Sequence, residues 1–361
     1  MINISEPCFD ELEEKAILEV LRSGHVASGP KVAEFEEEFA LYLGVKFSSA
    51  LSSGTAALHL ACLALGVGEG DEVITTPFSF IASSNAAVYC GAKPVFVDIE
   101  EKSFNLDPDL IEGVITPRTK AILVVHLYGR PADMKKILGI AKKHDLKVIE
   151  DACQAHGASI DGKKVGGWGD VGSFSFYATK NMTTVEGGMV VSDDKELIEK
   201  INSLRNHGSR VRYVHEDLGF NFRLADLNAA IGLVQLKKLD DFNKKRRQNA
   251  TYLNKQLRGL ENIFLPTLSE GMVVHQYSVI LDETLDREKV RESMLEAGVG
   301  TGVFYPIPIH KQKRYLESNP GLSLKVSERM SKKVLSLPIH PKLSTKDLDQ
   351  VASVLKRSLG S

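Results

Sequence analysis

Three separated segments of this 361-residue chain combine residue types suited to chemistry at a phosphate and at a carbonyl group. In the first, Ser53, Gly54 and Thr55 stand immediately before an Ala- and Leu-rich stretch that is typical of a helix. The start of a helix offers free backbone N–H groups and a partial positive charge, and a glycine lets a phosphate approach the backbone closely. The segment therefore predicts an anion-binding site, with a simple helix cap formed by Ser53 or Thr55 as the alternative.

Two adjacent carboxylates, Glu150 and Asp151, end the apolar run KVIED in the second segment. In open α/β sheets ligands bind at the carboxyl ends of the strands, so an acid at this position is well placed to contact a ligand. An acid held in a structural ion pair is the alternative, and the segment by itself leaves both interpretations open.

The third segment, GSFSFYATKNMTTVEGGMVV, places Lys180 shortly after a strand-like run that contains Phe174 and Phe176. Lysines are normally exposed, whereas the neighbours here are apolar residues and hydroxyl groups such as that of Ser175. Partial burial would lower the pKa of the amine and let it attack a carbonyl carbon as the free base. A lysine in a solvated loop is the alternative.

Together the three segments match the groups that pyridoxal phosphate (PLP) needs from a protein. The cofactor takes a lysine for its aldehyde, a carboxylate that keeps its pyridine nitrogen protonated, and amides with hydroxyls for its phosphate. Lys180, Asp151 and the segment 53–55 can supply these groups. The pattern GWGDVG has the glycine spacing of a dinucleotide site, but it precedes a strand and opens no helix, so we predict a loop there.

The elements that must position these residues are indicated by six short apolar runs between about residues 70 and 192. Each run is rich in β-branched or aromatic residues, which is typical of strands covered on both faces. The runs are VITTP, PVFVDI, AILVVHLYG, KVIED, GSFSFYA and GGMVV. Between the third and the fourth, PADMKKILGIAKKHD has apolar residues at helical spacing, which indicates a βαβ crossover. We therefore predict an α/β fold with a mostly parallel central sheet covered by helices.

Further helical patterns predict how the chain divides into domains. PKVAEFEEEFALYLG predicts a helix that begins at Pro30 and ends at Gly44. The proline-free stretch 224–260 predicts a long helix that could join two domains, and beyond it the strand-like VHQYSVIL precedes the helical DREKVRESMLEAG. We predict an N-terminal arm and large domain over residues 1–240 and a smaller C-terminal α/β domain over residues 241–361.

Composition and charge exclude several classes of protein. Hydrophobic residues make up 43% and charged residues 25%, as in ordinary globular chains. The 45 basic and 47 acidic side chains nearly cancel, and the short basic cluster 244–247 is interpreted as a solvated helix face, so we expect no nucleic-acid partner. With no basic leader and no apolar run of roughly 20 residues, a cytoplasmic location without membrane contact is predicted. Four scattered cysteines indicate neither disulfides nor a metal site.

The motifs and their order resemble the DegT/DnrJ/EryC1/StrS family of sugar aminotransferases over nearly the whole chain. They are SGTAAL, GDEVITTPFSFIASSNA, GAKPVFVDI, HLYGRPADM, EDACQAHGA, FSFYATKN, EGGMVV, RNHGS, GFNFRLADLNAAIG, YPIPIH and SLPIHP. The resemblance implies the PLP-dependent transferase fold of type I. It also implies an aminotransferase that moves an amino group from glutamate to a nucleotide-linked keto-sugar, in the biosynthesis of amino sugars and surface polysaccharides.

The same resemblance gives individual residues expected roles. Lys180 would bind the cofactor covalently and act as general acid and base, and Asp151 would pair with the pyridine nitrogen. The other cofactor contacts would be Gly54, Thr55 and Ser175 at the phosphate, Phe80 stacked on the ring, Gln154 near the 3-hydroxyl, and Asn221 at the phosphate of the neighbouring subunit. Tyr305 and His310 would face the sugar nucleotide. The contact from the neighbouring subunit implies a homodimer with shared active sites.

The segment MTTVEGG, which follows Lys180, bears on the position of amination. Family members that act at C3 of the sugar often carry a loop like LGAYGDGG there, whereas this segment is nearer to members that act at C4, so a 4-keto sugar is expected. Two alternatives stay open. One is another PLP reaction of this fold type, such as dehydration at a sugar carbon, in which a histidine replaces the lysine. The other is a regulatory or binding protein that kept the fold.

Overall fold

The computed structural model describes residues 1–360, which form a large seven-stranded sheet, a small three-stranded sheet and a two-stranded sheet of β6 and β7, with helices packed on the first two. The helices are α1 Glu11–Ser23, α2 Pro30–Leu43, α3 Gly54–Ala64, α4 Ala82–Tyr89, α5 Met134–Lys143, α6 Lys195–Leu204, α7 Asp226–Leu257, α8 Arg287–Glu296, α9 Lys313–Leu316, α10 Lys325–Lys333 and α11 Thr345–Ser358. The strands are β1 Phe47–Leu51, β2 Glu72–Thr75, β3 Lys93–Phe96, β4 Thr119–Val125, β5 Lys147–Asp151, β6 Ser159–Ile160, β7 Lys163–Lys164, β8 Val171–Ser175, β9 Gly188–Ser192, β10 Ile263–Phe264, β11 Tyr277–Leu281 and β12 Val334–Leu337.

Seven strands form the large sheet in the order β1-β9-β8-β5-β4-β2-β3. The pairs β2/β3, β2/β4, β4/β5 and β5/β8 are parallel, whereas β9 is antiparallel to both β8 and β1. All the strands predicted from apolar runs are present, which confirms the mostly parallel sheet. The edge strand β1 is not among the predicted ones, because Ser48 and Ser49 interrupt its apolar pattern although both are buried.

Helices cover both faces of the large sheet, as expected for strands that are apolar on both sides. On one face α3, α4 and α6 pack in a core that includes Leu58 and Ile149. On the other face α2 and α7 pack on β8, where the ring of Phe39 lies edge-on to that of Phe174 with 5.1 Å between the centroids. The predicted crossover helix α5 covers the same face further along the sheet. The predicted α/β architecture is confirmed.

The helices expected from periodicity begin and end near their predicted positions. α2 begins at Pro30, and Gly44 ends it with φ of 75°, a left-handed conformation that glycine adopts without strain. α5 buries Met134, Ile137 and Ala141, and α7 lies within the stretch 224–260 predicted for it. Among residues 1–360, no helix has both the length and the hydrophobicity that crossing a membrane requires.

The small sheet, β10-β11-β12, is antiparallel and packs with α8 and α11 in a core of its own, which we call the C-terminal unit. α7 serves both cores, because Leu239 lies in a core of the large sheet and Leu253 in that of the C-terminal unit. The boundary expected near residue 240 therefore falls inside a continuous helix. The first residues of the chain pair with the C-terminal unit, since Ile2 forms a parallel bridge with Val299.

The basic cluster 244–247 on α7 differs from the solvated face expected from its sequence. Arg246 is only 4% exposed, and its guanidinium donates a hydrogen bond of 3.1 Å to the carbonyl oxygen of His275. Arg247 donates to the carbonyl oxygens of Ser269 and Met272. This part of α7 lies against the segment 269–275, so its arginines bind backbone oxygens instead of water. The prediction is wrong for Arg246.

Candidate active site

A cavity of about 580 Å³ opens at the carboxyl end of the large sheet. Strands β5 and β8 end at this cavity, α3 begins at it, and residues 303–305, which follow α8 and pack against the core of the large sheet, also line it. Eight of the predicted site residues line it together: Gly54, Thr55, Phe80, Asp151, Gln154, Ser175, Lys180 and Tyr305. They meet because parallel strands that are far apart in the chain end at the same edge of the sheet.

The first turn of α3 forms one side of the cavity. Ser53 is the N-cap, because its hydroxyl accepts a hydrogen bond of 3.1 Å from the amide of Ala56. Gly54 lies so close to β8 that an added Cβ would stand 2.6 Å from Cβ of Ser175. The cap and the anion-site interpretations are thus compatible, since the capped start of α3, with Gly54, and Ser175 line the same cavity side by side.

The adjacent carboxylates at the end of β5 point to opposite faces of the sheet, as successive residues of a strand do. Asp151 lines the cavity and is 4% exposed. Its Oδ2 accepts a hydrogen bond of 2.7 Å from the hydroxyl of Ser83, and its Oδ1 accepts one of 3.2 Å from the amide of Cys153. Asp151 thus brings a negative charge to the cavity in a fixed orientation.

Glu150 is fully buried on the other face and has a structural role. Its carboxylate accepts hydrogen bonds from Nε2 of His126 (3.0 Å) and from the amides of Gly166 (2.8 Å), Trp168 (2.6 Å) and Gly169 (2.7 Å). Burial raises the pKa of Glu150, but these hydrogen bonds outweigh burial and keep the pKa below its ordinary value. Residues 167–170 of GWGDVG therefore form the predicted loop, folded around Glu150, and the last two residues of the pattern begin β8.

Lys180 follows β8 and faces the same cavity as Asp151. Burial lowers the pKa of its amine, while the neighbouring Cys153 and Asp151 act in the opposite direction. Within residues 1–360, its Nζ takes part in no hydrogen bond or ion pair. Lys180 lies in the loop after β8 with its side chain partly buried, and a partly desolvated amine that faces a cavity is suited to attack a carbonyl group.

A second wall of the cavity is formed by aromatic and amide side chains. Nε2 of Gln154 donates a hydrogen bond of 3.1 Å to the hydroxyl of Tyr305. The ring of Phe80 is 55% exposed and lies 6.3 Å from that of Tyr305, measured between centroids. An exposed aromatic face at a cavity is suited to stacking on a planar ring.

Two predicted site residues do not line the cavity. His310 is 1% exposed, and its Nε2 lies 3.0 Å from the carboxylate of Glu328. After Tyr305 the chain runs along the loop that follows β2, where the amide of Ile309 donates a hydrogen bond to the carbonyl oxygen of Pro77. This path places His310 away from the cavity. His310 thus lies outside the cavity of its own chain, and its expected contact with the sugar nucleotide stays a prediction. Asn221 is exposed outside the cavity, and the role expected of it concerns the cavity of a second subunit.

Several cavity residues were not signalled as site residues by the sequence, among them Ser83, His275 and Glu186. Glu186 follows Val185, whose φ of 72° is unusual for a β-branched residue and costs free energy. The turn is held by Asn228, whose amide donates to the carbonyl oxygens of residues 184 and 186. The valine before the glycines of VEGG does not reveal such a backbone conformation in the sequence.

The donor set of the cavity fits a phosphorylated pyridine aldehyde. Lys180 offers an amine of lowered pKa, Asp151 offers a carboxylate held by two hydrogen bonds, and the start of α3 offers backbone amides next to Ser175, on which Gly54 packs too closely for a Cβ. Among the described residues no group of three or more His, Cys, Asp or Glu side chains is arranged to hold a metal ion.

Comparisons with known proteins agree with this chemistry. A model of the DegT/DnrJ/EryC1/StrS aminotransferase family matches residues 7–356. A UDP-N-acetyl-3-dehydro-alpha-D-glucosamine 3-aminotransferase from Acidithiobacillus ferrooxidans is 42% identical over 327 residues, which are 90% of this chain and 87% of that protein. A GDP-perosamine synthase from Caulobacter vibrioides is 40% identical over 367 residues, 99% of this chain and 98% of that one. The solved structure of NtdA from Bacillus subtilis, with the cofactor PMP bound, superposes with a TM-score of 0.92 at 38% identity and covers 99% of this chain and 86% of NtdA.

Proposed function

The chain belongs to the DegT/DnrJ/EryC1/StrS aminotransferase family, and on that premise we propose that it transfers an amino group from glutamate to a nucleotide-linked 4-keto sugar. Family membership makes it a PLP-dependent aminotransferase. The observation that carries the proposal for this site is the single cavity in which Lys180 and Asp151 face each other beside the start of α3.

The proposed roles follow from the positions of the side chains. The amides at the start of α3, with Ser175, hold the phosphate, and Asp151 keeps a proton on the pyridine nitrogen. When bound, PLP supplies an electron sink for the carbon that loses a proton. Burial lowers the pKa of Lys180 and so favours its neutral amine, whose Nζ is proposed to take a proton from one carbon and return it to another.

The identity of the amino acceptor is proposed from the aromatic residues that line the cavity and from the names of the relatives. The printed names of two relatives refer to a UDP sugar and to GDP-perosamine, which supports a nucleotide-linked sugar and leaves the nucleotide variable. Amination at C4 is supported by the segment MTTVEGG, whereas one relative is named as a 3-aminotransferase. Phe80 is proposed to stack on the cofactor ring and Tyr305 to contact the sugar.

We also propose a homodimer with shared active sites. Asn221 is exposed and stands outside the cavity of its own chain, so it is free to contact a second copy. Its amide can donate to a phosphate oxygen without adding charge.

The experiment that tests the function is a screen of the PLP-loaded protein with glutamate and matched 3-keto and 4-keto nucleotide sugars. We expect an amino sugar only from 4-keto acceptors, identified by mass and NMR, and no product from Lys180→Ala. The control is Lys164→Ala, because burial also lowers the pKa of Lys164 but this lysine lies outside the cavity. Products only from 3-keto acceptors would show that the proposed amination at C4 is wrong. No product from 3-keto or 4-keto acceptors would reject the proposal that the substrate is a nucleotide-linked keto-sugar.

Borohydride reduction tests the lysine separately. Reduction of the holoenzyme is expected to attach the cofactor permanently to the peptide that contains Lys180. Recovery of the cofactor on another lysine would refute its proposed role.

A further inference from the structure

Tyr128 lies beside the segment 303–305, which lines the cavity, in the core of the large sheet. It follows β4 and is 4% exposed, and its ring packs edge-on to that of Phe104 with 5.5 Å between the centroids. Its hydroxyl donates a hydrogen bond to the carbonyl oxygen of Phe304, the residue before Tyr305. The side chain of Tyr128 thus holds the backbone of the segment that contains Tyr305.

The backbone of Tyr128 makes two more contacts at the same cavity. Its amide donates a hydrogen bond of 3.0 Å to Oε1 of Gln154, and its carbonyl accepts one of 2.9 Å from the amide of His275. Gln154 and His275 both line the cavity. Tyr128 has φ of 58° and ψ of 15°, a left-handed conformation that costs free energy for a large residue. These hydrogen bonds are the compensation that holds it there.

Gln154 completes a connected network. Its Oε1 accepts from the amide of Tyr128, and its Nε2 donates to the hydroxyl of Tyr305, at 3.1 Å. Since the amide oxygen of Gln154 is occupied by Tyr128, the amide nitrogen is directed to Tyr305. Tyr305 is therefore held from two sides, through the backbone of Phe304 and through its own hydroxyl. We call these hydrogen bonds the Tyr128 network.

We propose that Tyr128 is a positioning residue for the sugar acceptor, which fixes Tyr305 over the cavity without touching the substrate itself. This inference rests on the proposed function, in which Tyr305 contacts the sugar. The side chain of Tyr128 lies outside the set of residues that line the cavity, so its effect must pass through Phe304, Gln154 and Tyr305.

The variant Tyr128→Phe tests the proposal, because it removes the hydroxyl and keeps the ring that packs on Phe104. The loss of one neutral hydrogen bond corresponds to roughly two- to tenfold in an equilibrium. We expect the KM for the acceptor to rise by roughly this factor, with the KM for the amino donor and the PLP affinity unchanged. The matched control is Tyr277→Phe, which removes a buried hydroxyl that donates a 2.8 Å hydrogen bond to Asn254, away from the cavity.

A second measurement is independent of activity. Hydrogen exchange of the peptide 300–309 in the protein without substrate is expected to be faster in Tyr128→Phe than in the wild type, and unchanged in Tyr277→Phe. A combined variant with Tyr305→Phe adds a further test, since the effect of Tyr128→Phe on the acceptor KM should largely disappear when Tyr305 has lost its hydroxyl.

The outcomes separate the two proposals. Unchanged acceptor KM and unchanged exchange in Tyr128→Phe would overturn the positioning role, as would equal changes in Tyr277→Phe. If the wild type aminates no keto-sugar, the proposed function fails, and the exchange of the peptide 300–309 still decides whether Tyr128 holds that segment. If Tyr128→Phe does not fold, Tyr305→Phe tests the network from its other end through faster exchange of the peptide 126–131. Unchanged exchange there would reject it.

Discussion

Replacing Glu150 by glutamine should be among the most destabilising conservative changes in this chain. The carboxylate is fully buried and accepts four hydrogen bonds, two on each oxygen. The amide of Ala132 donates to Nδ1 of His126 at 3.0 Å, so the proton of this imidazole is on Nε2 and points at Glu150. All four neighbours of the carboxylate are thus donors, and none can turn into an acceptor without losing another bond.

The magnitude follows from the geometry of an amide in this place. Glutamine keeps one oxygen and puts an NH2 group where the other oxygen was, so two donors lose their acceptor in either orientation. A hydrogen bond to a charged group contributes about 1.5 to 3 kcal/mol, and the loss of two such bonds predicts about 3 to 6 kcal/mol in the free energy of unfolding.

Urea denaturation of the wild type and of Glu150→Gln measures this difference. The matched control is Glu72→Gln, because the Glu72 carboxylate is also buried but is paired with Arg118, whose side chain is 66% exposed. An ion pair with an exposed partner is worth about 0 to 1 kcal/mol, so we expect a small change there. A loss below about 1 kcal/mol in Glu150→Gln would refute the conclusion that this carboxylate holds the loop 165–170.

Three further predictions concern the charge, the assembly and the acid stability of the protein. Asp151→Asn should slow transamination by orders of magnitude in single-turnover assays. It should also lower the pKa of Lys180 further, because the charge of Asp151 raises that pKa. An unchanged rate would mean that Asp151 is only structural. Mixing Asn221→Ala with Lys180→Ala should restore activity on subunit exchange, because one site of each mixed dimer is then intact; exchange without activity would exclude a shared site. Burial lowers the pKa of His156 from 6.5 to about 3, so the unfolded state binds one more proton at this residue in that range. His156 should therefore contribute about 2 kcal/mol to the fall in unfolding free energy from pH 8 to pH 5, and this contribution should be absent from denaturation curves of His156→Gln.

The sheet could be predicted because its strands are buried on both faces. Runs such as AILVV and KVIED have no polar alternation, and no other element explains such runs between helical stretches. β1 could not be predicted in this way, because it contains two buried serines whose hydroxyls form hydrogen bonds. The hydroxyl of Ser49 lies 2.9 Å from the side-chain oxygen of Asn202, a residue 153 positions further along the chain. Partners that distant are not visible in a local pattern.

The same limit explains which site residues could be found. Lys180 and Asp151 each follow an apolar run, and the ends of parallel strands converge, so their meeting follows from the sequence. Ser83 contacts Asp151 across 68 positions of the chain and lies in a helix with no chemical signature of its own. Nearness to Tyr305 in the chain does not bring His310 to the cavity of its own chain. Only the path of the backbone after Tyr305 decides where His310 lies.

Helix α7 also determines how the molecule should come apart. Its 32 residues bury Leu239 with the large sheet and Leu253 with the small one, and no break separates the two parts. Unfolding of either half of α7 therefore removes packing from the core that contacts it and interrupts the helix that serves the other core. We expect the whole chain to unfold in one cooperative transition. A fragment that ends near residue 240 would expose the apolar stripe of a cut helix, and a fragment that begins there would lack the pairing of Ile2 with Val299. A chimera of this chain and a relative is therefore expected to fold only when α7 and the N-terminal residues come from the same one of the two sequences.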